Sequence, residues 1–176
     1  LVFALVAWRA LGMWQLHIFE FYGLSRALFM FFVASVLVLT IASDARFELI
    51  YDIVLLPSIV IVFIWRIVIG ASVVDMLLGA LVGFLFFGLQ YFFSGGRWIG
   101  FGDVKLSLLL GVVFGWYAML FIIPLAYLLG TVMSLIWLAK KKKKMSSTLP
   151  LGVFLGLASL FVLIYGIRPM ERLLHL

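Results

Sequence analysis

Gly100-Phe101-Gly102-Asp103-Val104-Lys105-Leu106 sets a carboxylate behind two glycines, at the head of a run that stays apolar to Gly115 except for Lys105 and Ser107. An ionisable side chain at membrane depth carries a penalty of roughly 2.5–3.5 kcal/mol on insertion scales, so it is usually paired, wet or functional. Whether the run belongs to a membrane decides the fold. The 176 residues are 67% hydrophobic with a mean hydropathy of +1.33, against roughly 45–50% apolar residues in a soluble domain. The chain is therefore expected to be an all-α, polytopic transmembrane helix bundle forming one domain over residues 1–176.

A spanning helix needs about 20 mostly apolar residues. Division at charges, Gly/Pro clusters and polar runs yields about seven segments: Leu1 to Trp8, Arg26 to Ser43, Ile53 to Ile69, Val73 to Phe93, Val104 to Gly115, Tyr117 to Ala139 and Leu151 to Ile167. The fifth is short, and Gly115-Trp116-Tyr117 predicts a tight turn into the sixth at a membrane face. With the first segment partial, the expected number of spans is six to seven. Because the chain starts in mid-hydrophobic run without Met, it reads as lacking a native N-terminus, and no basic region or cleavage site frames that start as a signal peptide.

Alternating the spans puts Arg46, Arg97, Lys105 and the run Lys140, Lys141, Lys142, Lys143, Lys144 on one side, against Arg9, Arg26, Arg66, Arg168 and Arg172 on the other. The side with eight cations is cytoplasmic by the positive-inside rule. The lysine run is expected to bind anionic lipid at about 1 kcal/mol per residue. Nucleic acid is excluded as a partner, because these cations interrupt apolar spans instead of covering a folded face. The absence of cysteine removes thiolate nucleophiles and Cys-ligated zinc, and His17 and His175 lack any HExxH-type partner, so no metal site is expected.

The same alternation brings Asp44, Glu48, Asp52 and Asp103 to the lysine-rich side. Asp44 closes one span in Ser43-Asp44-Ala45-Arg46 and Asp103 opens another. Two carboxylates held close cannot both ionise cheaply, so one keeps a proton while the other activates water for attack on a peptide carbonyl. Gly95, Gly96, Gly100 and Gly102 would let a substrate backbone approach and would admit unusual backbone angles. The simpler alternatives are that Asp103 caps a helix starting at Val104, that Asp52 caps one starting at Ile53, and that Arg46 merely neutralises Asp44. Lys105 could bind a substrate carbonyl or snorkel to the interface. Arg66 and Asp75 bracket the loop on the opposite side and are expected in the interface.

Three blocks carry a family resemblance. Gly100 to Leu106, followed by Leu110-Gly111-Val112-Val113-Phe114-Gly115-Trp116, is similar to a GxGDxKL...LGxxxGW segment. Ser43 to Arg46 with Asp52 is similar to an aspartate followed by a Pro-Asp pair, with Tyr51 in place of the proline. Leu149-Pro150-Leu151-Gly152-Val153-Phe154-Leu155 is similar to PFGPFL, with Leu151 and Val153 in place of Phe and Pro. In these blocks the chain resembles the bacterial type IV prepilin peptidases, membrane aspartyl proteases of the GxGD type.

The resemblance implies an aspartic endopeptidase of the bacterial inner membrane. It would cut the basic leader from type IV prepilins and pseudopilins after a glycine, at the cytoplasmic face, in pilus assembly or protein secretion. Asp44 and Asp103 take the catalytic positions, Gly100, Gly102 and Lys105 the motif loop, and Glu48 and Asp52 are candidates for binding the basic leader. Members of the family also carry a further N-terminal span and a loop with zinc-binding cysteine pairs, associated with N-methylation. Neither is seen here, so methyltransferase activity is not assigned and no cofactor is expected. The alternatives are an archaeal preflagellin-type peptidase and a non-enzymatic transporter or scaffold, the last of which predicts acids deep within spans.

Overall fold

The structure, a computed structural model, describes residues 2–6, 21–139 and 150–166. Lys140 to Lys144, His17, His175, Arg9, Arg168, Arg172 and, of the first expected segment, residues 1, 7 and 8 lie outside the described residues. Residues 2–6 are helical, and Val6 joins the core. Five longer helices follow: α1 (Phe21–Phe47), α2 (Asp52–Val68), α3 (Val73–Ser94), α4 (Phe101–Ala139) and α5 (Leu151–Tyr165). Three of them hold stretches long and apolar enough to cross a membrane, namely Leu24–Phe47, Val73–Ser94 and Phe101–Ala139. The architecture is an all-α membrane helix bundle.

α4 is not one rod. At 1.5 Å per residue a straight path from Phe101 to Tyr127 would cover about 39 Å. Yet the carboxyl end of α3 touches both residues: the Tyr91 ring lies 5.3 Å from that of Phe101, and Tyr127 donates to the Gln90 side chain at 2.9 Å. The chain therefore folds back between them. The bend falls at Gly115, whose φ of 80° and ψ of 175° are not helical. Positive φ is open to glycine at little steric cost, and a Cβ here would also run into the Asp75 carboxylate. The expected turn at Gly115-Trp116-Tyr117 is thus present as the bend of a helical hairpin.

A clip of two charged side chains closes that bend. The Arg66 guanidinium donates to the carbonyls of Val112 (3.1 Å) and Val113 (2.5 Å), at the end of the first arm. Asp75 accepts the N–H of Trp116 at 3.3 Å, where the second arm begins, and pairs with Arg66 at 3.6 Å. A cation on last-turn carbonyls and an anion on first-turn amides are the placements the helix dipole favours. Arg66 and Asp75 are therefore more than interfacial residues, because together they cap both ends of an interrupted helix.

The first arm is buried along most of its length, with Val104, Leu106, Leu109, Leu110, Val112 and Val113 all in the core. Surrounded by protein, it does not have to match the bilayer thickness alone. α3 lies against it with backbones in contact. A Cβ on Gly79 would overlap the Gly111 carbonyl, and one on Gly83 would meet both the Ser107 carbonyl and the Met119 side chain of the second arm. Small residues at a four-residue spacing allow such an approach, which is how helices associate where lipid removes the hydrophobic drive between them. α2 docks on α1 through Trp65, whose indole N–H donates to the Ser25 hydroxyl at 3.0 Å and whose ring packs on Phe29 and Phe32. α5 fits between α1 and the second arm, with Gly156 against Ile41 and Phe154 against Gly130.

Candidate active site

α1 starts at Phe21, five residues before the expected Arg26, and two further helix ends come out longer than the sequence spacing suggests, both bearing on the acids. α1 runs to Phe47, which puts Asp44 within its last turn. α4 starts at Phe101, three residues earlier than expected, so Asp103 occupies the third helical position and does not cap a helix beginning at Val104. Its carboxylate accepts the Gly100 N–H at 3.2 Å, reaching back to the residue before the helix as the acidic member of a capping box does. α2 likewise begins with Asp52 itself, preceded by Tyr51, which makes no side-chain cap bond.

Asp44 faces the start of α5. It accepts the N–H of Val153 at 2.9 Å, the third residue of a helix whose flanking Pro150 offers no capping side chain. A carboxylate placed badly for the dipole of its own helix is thus placed well for that of another. The approach requires Gly152, because a Cβ there would sit 2.7 Å from the Asp44 Oδ2. The Pro-Leu-Gly block thereby acquires a physical role that spacing did not reveal.

Asp44 and Asp103 are 5% and 8% exposed and line the same cavity, of about 830 Å³. They lie within electrostatic reach of each other. Among the described residues neither carboxylate is paired with a lysine or arginine. Arg46, a candidate neutraliser of Asp44, points elsewhere, into a separate groove with Thr40, Ser43 and Tyr51. Two near-buried carboxylates facing one cavity, with no cation paired to either, cannot both hold full charge cheaply. One protonated and one ionised group side by side can donate and accept a proton in a single event.

The remaining sequence candidates separate. Glu48 lines the cavity with the two aspartates, as do Gly100 and Arg97. Its N–H bonds the Asp44 carbonyl at 2.9 Å, and its φ of 51° then turns the chain out of the helical path. Asp52 is held by Lys105 at 2.6 Å, and the Lys105 ammonium lies 4.8 Å above the Phe101 ring. Neither Asp52 nor Lys105 lines the cavity. Gly100 and Gly102 have no positive φ; that conformation belongs to Gly95 and Gly96, where α3 ends. Gly102 instead lies against Ile50, which a Cβ would approach to 3.0 Å. Its smallness therefore serves packing.

Sequence reasoning passed over Gln90 and Tyr127, which line the cavity as well. Two polar side chains within apolar helices were the available signal. Among the described residues no group of three or more acids and histidines could hold a metal ion.

Comparison with known proteins agrees with the blocks read above. Residues 30–135 match the type IV leader peptidase family. The chain is similar to the prepilin leader peptidase/N-methyltransferase of Pseudomonas aeruginosa, with 30% identity over 133 residues, covering 70% of this chain and 44% of that protein. It is also similar to the proteins of the same name from Stutzerimonas stutzeri (32% over 100 residues, 54% of this chain and 35% of the relative) and Pectobacterium carotovorum subsp. carotovorum (33% over 97 residues, 53% and 35%). The matches thus span less than half the length of these curated relatives. No solved structure matches the chain. With more than half of its residues inside the family match, the chain belongs to the type IV leader peptidase family.

Proposed function

We propose that the protein is an aspartic endopeptidase of the bacterial inner membrane that removes the basic leader of prepilins or pseudopilins after a glycine, at the cytoplasmic face. The observation that carries this reading is the pair Asp44 and Asp103, two carboxylates from different helices that line one cavity without a cation between them. The ionised member takes a proton from water as the water oxygen bonds to the scissile carbonyl carbon, and the protonated member gives its proton to the carbonyl oxygen. Collapse of the resulting diol returns a proton to the leaving nitrogen, and the carbon–nitrogen bond breaks. Residues at the ends of α1 and α4 suit a substrate presented from the membrane surface. The cytoplasmic assignment follows from the side on which Arg46, Arg97, Lys105 and the lysine run are placed by the alternation of spans.

The basic leader would be drawn to the acidic rim, where Glu48 lines the cavity and Asp52 lies outside it. Glu48 is therefore the stronger candidate for leader binding, and the chemistry requires no cofactor. Cleavage of a leader-bearing peptide by Asp44→Asn and Asp103→Asn variants tests the assignment. Each single variant is expected to lose at least about 10³-fold in rate, within the range attributed to positioned acid–base groups. The pH profile of the unsubstituted protein should be bell-shaped. Retained cleavage in either variant would remove the dyad.

A further inference from the structure

The Asp44/Asp103 cavity has a second polar wall that the proposed chemistry does not use. Gln90, near the end of α3, and Tyr127, on the second arm of α4, both line it. Asp103 and Tyr127 lie twelve residues before and after Gly115, so folding back at that glycine brings the two arms abreast at this level. Tyr127 also lies within electrostatic reach of Asp103. Its ring is held edge-on by Phe86 at 5.8 Å and stacked on Phe87 at 6.3 Å.

The hydrogen bonds of the pair determine what it can offer. The Gln90 Nε2 donates to the Phe86 carbonyl at 3.1 Å, which orients the amide. Its Oε1 accepts from the Tyr127 hydroxyl at 2.9 Å. A tyrosine has one proton to give and a primary amide has two. With the tyrosine proton given to Gln90 and one amide proton given to Phe86, the capacities that remain include acceptor lone pairs, those of the Tyr127 oxygen among them, and the second N–H of Gln90. An acceptor and a donor on one wall complement the N–H and C=O of a peptide backbone.

A peptide needs such partners here. A substrate that enters as an apolar helix must lose intrahelical hydrogen bonds before an amide can be cut, and each unsatisfied backbone group away from water costs several kcal/mol. We infer that Gln90 and Tyr127 form a backbone-binding clamp, in which the Tyr127 oxygen accepts an N–H and the Gln90 amide donates to a C=O of the unwound substrate segment beside the two aspartates. This clamp rests on the peptidase reading and adds the groups that hold the substrate for it.

The test uses the membrane-embedded protein with a peptide carrying a basic leader, a glycine and an apolar helix. A parallel series replaces single amides flanking the scissile bond by esters, which removes one N–H at a time. At one ester position the unsubstituted protein should show KM raised about five- to tenfold, the scale of one net hydrogen bond. Tyr127→Phe, which keeps the ring against Phe86 and Phe87, should raise KM on the all-amide peptide by a similar factor, with kcat changing less. At that same position the ester should then add nothing further, the non-additivity expected of groups that act on each other. Gln90→Leu should raise KM in the same direction. An unchanged KM in both variants, or ester sensitivity that survives Tyr127→Phe while thermal stability falls, would overturn the clamp and leave the pair as an attachment between α3 and α4. If the unsubstituted protein cleaves none of the peptides and retained none when binding is measured, the peptidase reading itself fails and the clamp with it.

Discussion

The two ends of the bundle hold acids anchored by one device and differ in a single respect. At the hairpin end Asp75 accepts the N–H of Trp116; at the cavity end Asp103 accepts the N–H of Gly100 and Asp44 that of Val153. All three carboxylates lie against the first turn of a helix. Asp75, however, also pairs with Arg66, and among the described residues Asp44 and Asp103 are in no ion pair. A backbone amide holds a carboxylate in place at either end. Under the proposed chemistry the carboxylates at the cavity end share a proton, and no paired cation competes for them, whereas Asp75 is tied to Arg66.

The comparison breaks most directly if the two kinds of acid respond alike to neutralisation. Asp103→Asn should lower cleavage by at least about 10³-fold and leave thermal stability unchanged or raised, because it replaces a buried ionisable group facing a second carboxylate by a neutral amide and active sites commonly trade stability for function. Arg66→Met should do the reverse at the hairpin end. Losing one partner of a buried pair costs roughly 3–5 kcal/mol, and with the side chains of Arg66 and Asp75 15% and 33% exposed we expect about 2 kcal/mol here, read as a lowered unfolding temperature in detergent. Adding Asp75→Leu to Arg66→Met should recover part of that loss, since an unpaired charge is then no longer left behind.

Gly152→Ala sharpens the comparison within the cavity end. The added Cβ would meet the Asp44 carboxylate and push it off its seat on α5, so cleavage should fall about 10–100-fold, as a displacement of about 1 Å does, with little change in unfolding temperature. The smallest effect belongs to Lys105→Gln. The pair it makes with Asp52 is exposed, at 20% and 51% for the two side chains, and exposed pairs contribute about 0–1 kcal/mol. Cleavage by this variant should stay within about threefold of the unsubstituted rate, and a loss comparable to that of Asp103→Asn would return Lys105 to the site.

Much of this was legible in the chain. The segment bounds fall within a few residues of the helices over α2, α3 and α5, because charges and Gly/Pro clusters mark where a helix leaves an apolar medium. The turn at Gly115 was legible from one glycine and two aromatic residues. The start of α4 and the end of α1 were not, because the helices run on through Gly102-Asp103 and Ser43-Asp44-Ala45-Arg46, polar stretches at which a division by hydropathy stops. The capping of α5 by Asp44 was also hidden, since a side chain 109 residues away in sequence supplies what Pro150 lacks.

By itself the sequence determined that the chain forms apolar helices, where most of them break, and that Asp44 and Asp103 stand at helix ends. Composition and charge suffice for that, since the cost of polar groups in hydrocarbon depends on residue type alone. Only the tertiary structure decided which faces point inward, that the first arm of α4 is largely enclosed by protein, and that Arg66 serves Asp75 while Lys105 serves Asp52. Lipid tails and a protein core are equally apolar, so hydropathy cannot distinguish them. Whether a carboxylate meets a cation depends on which helices are neighbours.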